Sequence, residues 1–196
     1  MSAALTTLAP IAGGCLAVAG LLWLLQPYLV FQPAAGGSGV TRTPADVGLE
    51  YEGVRLAAAD EVTLAGWFVP HADPAAPVVL FLHGNAGNIG GRVESLQQLH
   101  EAGAAVLIID YRGYGDSTGR PTEAGTYRDA RAAWDWLTRA RGMPPGRIVI
   151  FGRSLGGPIA AHLARAVRPA GLVLEFTFTS MPALAADLYP GSRRAG

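Results

Sequence analysis

Ser154 lies in a sequence whose residue types and spacing suit nucleophilic catalysis. It stands between Gly152 and Gly156 in a G-x-S-x-G motif, which requires a strand before the serine and a helix after it. The apolar run at 148–151 predicts that strand, and residues 155–167 are predicted to form that helix. The two glycines leave room for strand and helix to approach closely, so Ser154 is the candidate nucleophile. A glycine-rich turn that happens to contain a serine is the alternative.

A second glycine-rich loop follows the apolar run at 78–82 and contains Asn85. In a fold with a G-x-S-x-G turn, this loop supplies a backbone N–H to the oxyanion, and Asn85 is the candidate donor. His83 ends the strand and is predicted to be structural. A dinucleotide-binding loop is the alternative, but its G-x-G-x-x-G spacing disagrees with glycines at 84, 87, 90 and 91. The chain has no lysine, which excludes a P-loop.

Alternating strands and helices must position these two loops. Residues 51–57 and 62–69 alternate in polarity and predict a half-exposed antiparallel pair. The apolar runs at 105–109 and 172–174 predict further buried strands, in addition to those at 78–82 and 148–151. Helices are predicted at 92–102 and from Thr126 onward, with Asp129 as the capping-box partner of Thr126. The pattern predicts an α/β fold, a mostly parallel sheet flanked by helices, with ligands at the carboxyl ends of its strands.

The first part of the chain is apolar and has no charged side chain before Arg42. Residues 5–31 are long enough to cross a bilayer as one helix, so we predict a transmembrane anchor at 1–31, a flexible linker at 32–46 and a globular domain at 47–196. The predicted location is a membrane, the inner membrane in a bacterium, with the side of the globular part left open. A cleaved signal peptide is the alternative, but no basic residue precedes the apolar run. A lipid-modified Cys15 is a second alternative, with a poor match around the cysteine.

Composition excludes several classes of function. The formal net charge is +0, which argues against a nucleic-acid partner. A single cysteine allows no disulfide within the chain and no thiolate metal site. Neither a metal nor an organic cofactor is expected, since hydrolysis at a serine needs only water.

Several motifs together resemble one family. The sequences LFLHGNAGNIG at 80–90, LIIDYRGYGDSTG at 107–119, FGRSLGGP at 151–158 and LVLEFTFT at 172–179 are similar to membrane-anchored α/β-hydrolases of the serine-aminopeptidase-like type. The resemblance implies an N-terminal anchor, an eight-stranded mostly parallel sheet and a Ser–Asp–His triad. It assigns Ser154 as nucleophile, Asn85 and Leu155 as backbone oxyanion donors, and residues 111–113 to a loop that lines the site in a structural role.

The chain departs from that family after the nucleophile. The triad acid and histidine are expected on later strands, and the sequence ends at Gly196 before such strands occur. His162 is the only later histidine, and a helix would place it about 12 Å from Ser154 along its axis. Glu175 is an alternative acid, although a structural carboxylate is the favoured interpretation.

We therefore expect a C-terminally truncated serine hydrolase of impaired activity, acting on a small acyl or peptide substrate that the sequence does not identify. The alternative is a catalytically inactive membrane-anchored fragment or binding module of the same fold. The strand at 172–174 would be an exposed apolar edge, open to association with another chain.

Overall fold

The computed structural model describes residues 13–18, 20–21, 24–25, 30–34 and 39–177. The chain divides into two units, residues 1–32 and 33–196. In the first unit, residues 13–18, 20–21, 24–25 and 30 are helical. Among the described residues, no helix combines the length and apolar character needed to cross a bilayer. Much of the predicted anchor at 1–31 lies outside the described residues.

A six-stranded sheet forms the centre of the second unit. Its order is β1-β2-β4-β3-β5-β6, with β3, β4, β5 and β6 mutually parallel and β1 and β2 antiparallel at one side. The strands β1 to β6 are, in chain order, Glu52–Ala57, Thr63–Val69, Val78–Leu82, Ala105–Ile109, Ile148–Arg153 and Gly171–Glu175. The mostly parallel sheet predicted from the apolar runs is confirmed.

Helices cover both faces of this sheet. They are α1 at Val93–Glu101, α2 at Glu123–Asp135, which continues as a π-helical turn at Trp136–Ala140, and α3 at Gly156–Ala166. Short 3-10 helices occur at Pro44–Val47, Ile89–Arg92 and Pro145–Arg147.

Successive residues of a strand point to opposite faces of the sheet, so their contacts show which face each helix covers. On one face, Val93 and Leu96 of α1 share a buried cluster with Phe81 and Ile108, and Phe151 packs against that cluster. The next residue of β5, Gly152, points to the opposite face, where a Cβ atom built on it would lie 2.6 Å from Cβ of Ala160 in α3. Helices α1 and α3 therefore lie on opposite faces.

The start of α2 corrects the predicted helix boundary. The helix begins at Glu123, and Thr122 is its N-cap, with a side-chain oxygen that accepts a hydrogen bond from the Gly125 N–H at 3.1 Å. The hydroxyl of Thr126 instead donates to the Glu123 carbonyl at 2.8 Å, and Asp129 binds a distant arginine instead of capping the helix. Both Thr122 and Thr126 precede acidic residues, so local sequence did not separate them.

The antiparallel pairing of β1 with β2 is confirmed, but only β1 is half-exposed. Residues 64–69 of β2 are all buried. The reason is that β2 also pairs with β4, which places it inside the sheet. Gly66 allows this close pairing, because a Cβ atom there would lie 2.5 Å from the carbonyl oxygen of Ile108.

Residues just before the first strand contact the same unit. The Asn88 side chain donates a hydrogen bond to the Gly39 carbonyl at 3.0 Å, and Arg42 forms an ion pair with Glu94 of α1. Val40 packs against the cluster under α1.

Candidate active site

Ser154 lies on the turn between β5 and α3. Its φ angle is 51°, in the left-handed region that residues other than glycine rarely adopt. The Ser154 N–H donates to the carbonyl of Glu175 at 2.9 Å. The Ser154 carbonyl accepts from the Gly157 N–H at 2.9 Å and from the Thr177 hydroxyl at 2.9 Å. The strained backbone is thus fixed on both sides by hydrogen bonds, a role of Thr177 that the motif did not indicate.

Two glycines make this turn sterically feasible. A Cβ atom on Gly156 would lie 2.0 Å from the carbonyl oxygen of Leu82, and one on Gly152 would lie 2.5 Å from the carbonyl oxygen of Gly156. Neither separation is compatible with a side chain. The structure therefore gives a direct reason for both glycines of the motif: β3, β5 and the start of α3 approach one another too closely for any other residue.

The loop after β3 lies directly against the serine. A Cβ atom built on Gly84 would lie 3.3 Å from the Cβ and 4.0 Å from the Oγ of Ser154. Asn85 is the next residue, and Leu155 follows Ser154 at the start of α3. The structure thus brings together the two chain segments that contain the predicted N–H donors.

Side chains from other elements fix the loop that contains Asn85. The Tyr114 hydroxyl donates to Oδ1 of Asn85 at 2.8 Å. The Arg92 guanidinium donates to the carbonyls of Asn85 at 3.0 Å and Ala86 at 2.7 Å. Sequence reasoning missed both supporting residues. Tyr114 lies in a polar loop after a buried strand, which was a usable signal, whereas nothing local marked Arg92.

A buried polar pair lies beneath this loop. His83 and Asp110 are both fully buried, with Nε2 of His83 3.8 Å from Oδ1 of Asp110. Nδ1 of His83 is 2.7 Å from the Gly84 carbonyl, and Oδ1 of Asp110 accepts from the Ile89 N–H at 2.9 Å. Burial lowers the pKa of His83 to about 4 and raises the pKa of Asp110 to about 7. At neutral pH the imidazole is therefore uncharged, consistent with a structural residue.

In the loop at 111–113, which was expected to have a structural role beside the site, Tyr111 and Arg112 are buried and hydrogen-bonded. Tyr111 is fully buried, and its hydroxyl donates to the His83 carbonyl at 3.0 Å. The Arg112 side chain donates to Asp129 at 2.8 Å and to Asp60 at 2.7 Å. The Asp60 carboxylate accepts hydrogen bonds from Arg112, and these bonds lower its pKa to about 2.

Glu175, the alternative acid, ends β6 and forms an ion pair with Arg153. Its backbone carbonyl, not its side chain, contacts Ser154. All four histidines of the chain lie among the described residues, and none is hydrogen-bonded to Ser154 there. His162 stacks on Tyr127 at a centroid separation of 3.7 Å, and His71 packs beside His100 at 5.1 Å.

The turn, the glycines and the loop after β3 form the arrangement typical of one fold. Residues 77–187 match the family described as the alpha/beta hydrolase fold. The chain belongs to the α/β-hydrolase family. The predicted α/β-hydrolase fold, with its α/β sheet, is thereby confirmed.

Other proteins are similar to this chain over more than half of its length. An uncharacterised protein of Mycobacterium tuberculosis is 41% identical over 174 residues, which are 86% of this chain and 59% of that protein. The lysophosphatidylserine lipase ABHD12 of Gallus gallus is 41% identical over 122 residues, 59% of this chain and 32% of the lipase. The chain thus spans about 60% or less of the length of these relatives.

Solved structures show the same fold. An α/β-hydrolase from Vibrio vulnificus has a TM-score of 0.61 and 34% identity, with 70% of this chain and 49% of that chain covered. The Pyrococcus furiosus esterase Pf2001 has a TM-score of 0.56 and 27% identity, with 66% of this chain and 51% of the esterase covered.

Proposed function

We propose that this α/β-hydrolase chain carries the nucleophile and oxyanion hole of a serine hydrolase that cleaves ester or related acyl bonds. The observation that carries the proposal is the left-handed backbone of Ser154, at a φ of 51°, on a turn packed against Gly84. Strained backbone conformations of this kind cluster at active sites, where the surrounding structure maintains them. The names of two similar proteins, a lipase and an esterase, support the reaction class.

In the proposed reaction, Oγ of Ser154 attacks the acyl carbon and forms a tetrahedral oxyanion. The backbone N–H groups of Asn85 and Leu155 would donate to that oxyanion, and the N-terminus of α3 adds the favourable end of its dipole. Collapse of the intermediate breaks the acyl C–O bond, and the alcohol leaves with the proton that the Ser154 hydroxyl has lost. Water then hydrolyses the acyl-serine and restores the hydroxyl.

Activation of the serine limits the expected rate. A serine hydroxyl needs an adjacent base to attack efficiently at neutral pH. In the described structure the four imidazoles contact groups other than the serine. His83 contacts the Gly84 carbonyl, His71 and His100 pack on each other, and His162 stacks on Tyr127. Glu175 is paired with Arg153. We therefore propose that the 196-residue chain reacts with activated acyl or phosphonyl reagents but turns over ordinary esters weakly.

The same proposal places the chain at a membrane. The apolar, uncharged sequence at 5–31 supports an N-terminal anchor, as its length matches a bilayer core. The proposed substrate is a small acyl compound or a peptide.

The decisive experiment is labelling of the full chain, in detergent, with a fluorescent fluorophosphonate. We expect covalent labelling that disappears in Ser154→Ala and persists in Thr138→Ala, which removes a hydroxyl that is hydrogen-bonded to the Trp134 carbonyl in another helix. Hydrolysis of a nitrophenyl acetate should show the same dependence on Ser154. If wild type is not labelled above the Ser154→Ala background, the serine is not an active nucleophile in this chain, and a binding module becomes the better interpretation.

A further inference from the structure

A cavity of about 400 Å³ lies between the end of β1 and helix α2. Arg55 contributes from β1, while Arg128, Arg131 and Arg139 contribute from α2 and its π-helical continuation. One carboxylate, Asp135, is also in the lining. The lining therefore carries three net positive charges in a chain whose formal net charge is +0.

This cavity is separate from the Ser154 turn. Strands β2, β4 and β3 lie between β1 and β5 in the sheet. At the usual spacing of neighbouring strands, β1 and β5 are about 19 Å apart. A ligand in the arginine-lined cavity would not reach the serine hydroxyl.

The arginines converge because of helical spacing. Positions 128, 131, 135 and 139 are three or four residues apart, so they lie along one side of α2. The side faces the strand that carries Arg55, and Trp136 adds an aromatic ring to the wall. Trp136 and Arg139 belong to the π-helical turn, a type of helical irregularity that occurs frequently at functional sites.

These arginines make few contacts, so many of their N–H groups are available to a ligand. Arg128 contacts Asp60 through Nε at 3.1 Å, and Arg131 contacts Asp135 through Nε at 3.0 Å. Arg139 lies 3.8 Å from Asp135, beyond hydrogen-bond distance, and Arg55 donates one bond from Nη1 to the Asp116 carbonyl at 2.8 Å. Within the described residues, the terminal N–H groups of Arg128 and Arg131 make no hydrogen bond to the protein.

The geometry points to a binding site for a phosphate ester, in which these arginines bind the phosphate oxygens. Guanidinium groups present paired N–H donors that match phosphate oxygens, and a phosphate would relieve the repulsion among four nearby cations. A volume of about 400 Å³ is larger than one phosphate and falls in the range of small-ligand pockets. The alkyl or headgroup part of the ester would contact Leu56, Ala132 and Trp136. The phosphate could belong to a soluble ester or to a phospholipid headgroup.

The test is binding by the full chain in detergent, and it does not depend on hydrolase activity. Calorimetry measures the affinity for inorganic phosphate and for glycerol 3-phosphate, with chloride used to keep the ionic strength constant. Flotation with phosphatidic acid vesicles, against phosphatidylcholine vesicles, measures the lipid source. The N-terminal segment is unchanged in all proteins, so differences between variants report the cavity.

The cavity variant is the double substitution Arg131→Gln and Arg139→Gln. Its matched control is the double substitution Arg165→Gln and Arg168→Gln, at two exposed arginines outside the cavity. We expect the cavity variant to lose at least tenfold in affinity for glycerol 3-phosphate, or to lose preferential binding to phosphatidic acid, while the control retains both. Arg55→Gln, which leaves α2 intact, should weaken binding as well and guards against a folding defect.

The two measurements identify the source of the phosphate. Binding of soluble esters alone indicates a soluble ligand, and binding of acidic vesicles alone indicates a phospholipid headgroup. Equal losses in the cavity variant and the control would overturn the inference, as would binding of neither phosphate source above the chloride background. Failure here leaves Ser154 labelling unaffected, so the two proposals are distinguishable.

Discussion

Two turns that follow parallel strands use polar residues in opposite ways. After β4, Arg112 is buried and donates to both Asp129 and Asp60. After β5, Ser154 is held by its backbone alone, and within the described residues its Oγ makes no hydrogen bond. A buried polar side chain with all its partners stabilises the fold, whereas a strained residue whose reactive atom is left unpaired is available for chemistry.

The largest predicted effect tests the first of these turns. In Asp129→Ala, the buried Arg112 guanidinium loses the carboxylate that accepts from its backbone and side chain, so we expect a loss of about 3–5 kcal/mol in free energy of unfolding. Urea denaturation followed by circular dichroism measures it. Asp135→Ala removes a carboxylate paired at the surface and should cost about 1 kcal/mol or less. Equal losses in the two variants would mean that the Arg112 network adds no special stability.

The next prediction tests the steric basis of the serine turn. Gly156→Ala would place a methyl group 2.0 Å from the Leu82 carbonyl oxygen, and β3 and α3 would have to separate. We expect a loss of about 1–3 kcal/mol, together with loss of fluorophosphonate labelling. Gly146→Ala, where no atom lies within 4 Å of the added carbon, is the control and should be near neutral. Normal labelling by Gly156→Ala would show that the turn tolerates a wider spacing.

A smaller effect should reveal the strain at the serine itself. Glycine adopts a φ of 51° without penalty, whereas alanine does not. Ser154→Gly should therefore be more stable than Ser154→Ala by about 1 kcal/mol, although both lose the hydroxyl. Thermal or urea unfolding of the two variants makes the comparison. Equal stability would indicate that the surrounding hydrogen bonds, and not backbone strain, dominate this turn.

A separate, pH-dependent effect concerns the buried pair His83 and Asp110, which sits between the two turns. The pKa of His83 is lowered from 6.5 to about 4, so its contribution to stability increases as pH rises through this window. The pKa of Asp110 is raised from 3.8 to about 7, so burial of its charged form makes stability decrease as pH rises through that window. The two slopes oppose each other between about pH 4 and 6.5.

Asp110→Asn should remove the decreasing slope and leave the increasing one. We expect stability of this variant to rise between pH 4.5 and 6.5, while the wild type changes less, in urea denaturation at a series of pH values. An identical pH profile in both proteins would show that Asp110 keeps an ordinary pKa in the folded state.

The sequence predicted the features that depend on local pattern. Apolar runs identified the parallel strands to within one or two residues, and the spacing around Ser154 predicted its turn because the motif and its steric demand are local. The start of α2 and the burial of β2 were missed because distant residues decide both. Asp129 binds Arg112 instead of capping the helix, and β2 pairs with β4. Tyr114 and Arg92, which donate hydrogen bonds to Asn85, were not predicted because the sequence does not show which loops meet in space.

The backbone of Ser154 is tied to β6 and the residues just beyond it, through the Glu175 carbonyl and the Thr177 hydroxyl. In the described sheet β6 pairs with β5 alone, and a strand with one hydrogen-bonded neighbour opens more readily than an internal one. Fraying of that outermost strand would release two of the bonds that keep the serine in its rare conformation. The durability of the reactive geometry is thus set at the periphery of the sheet, and amide exchange at Ser154 should follow the exchange of β6.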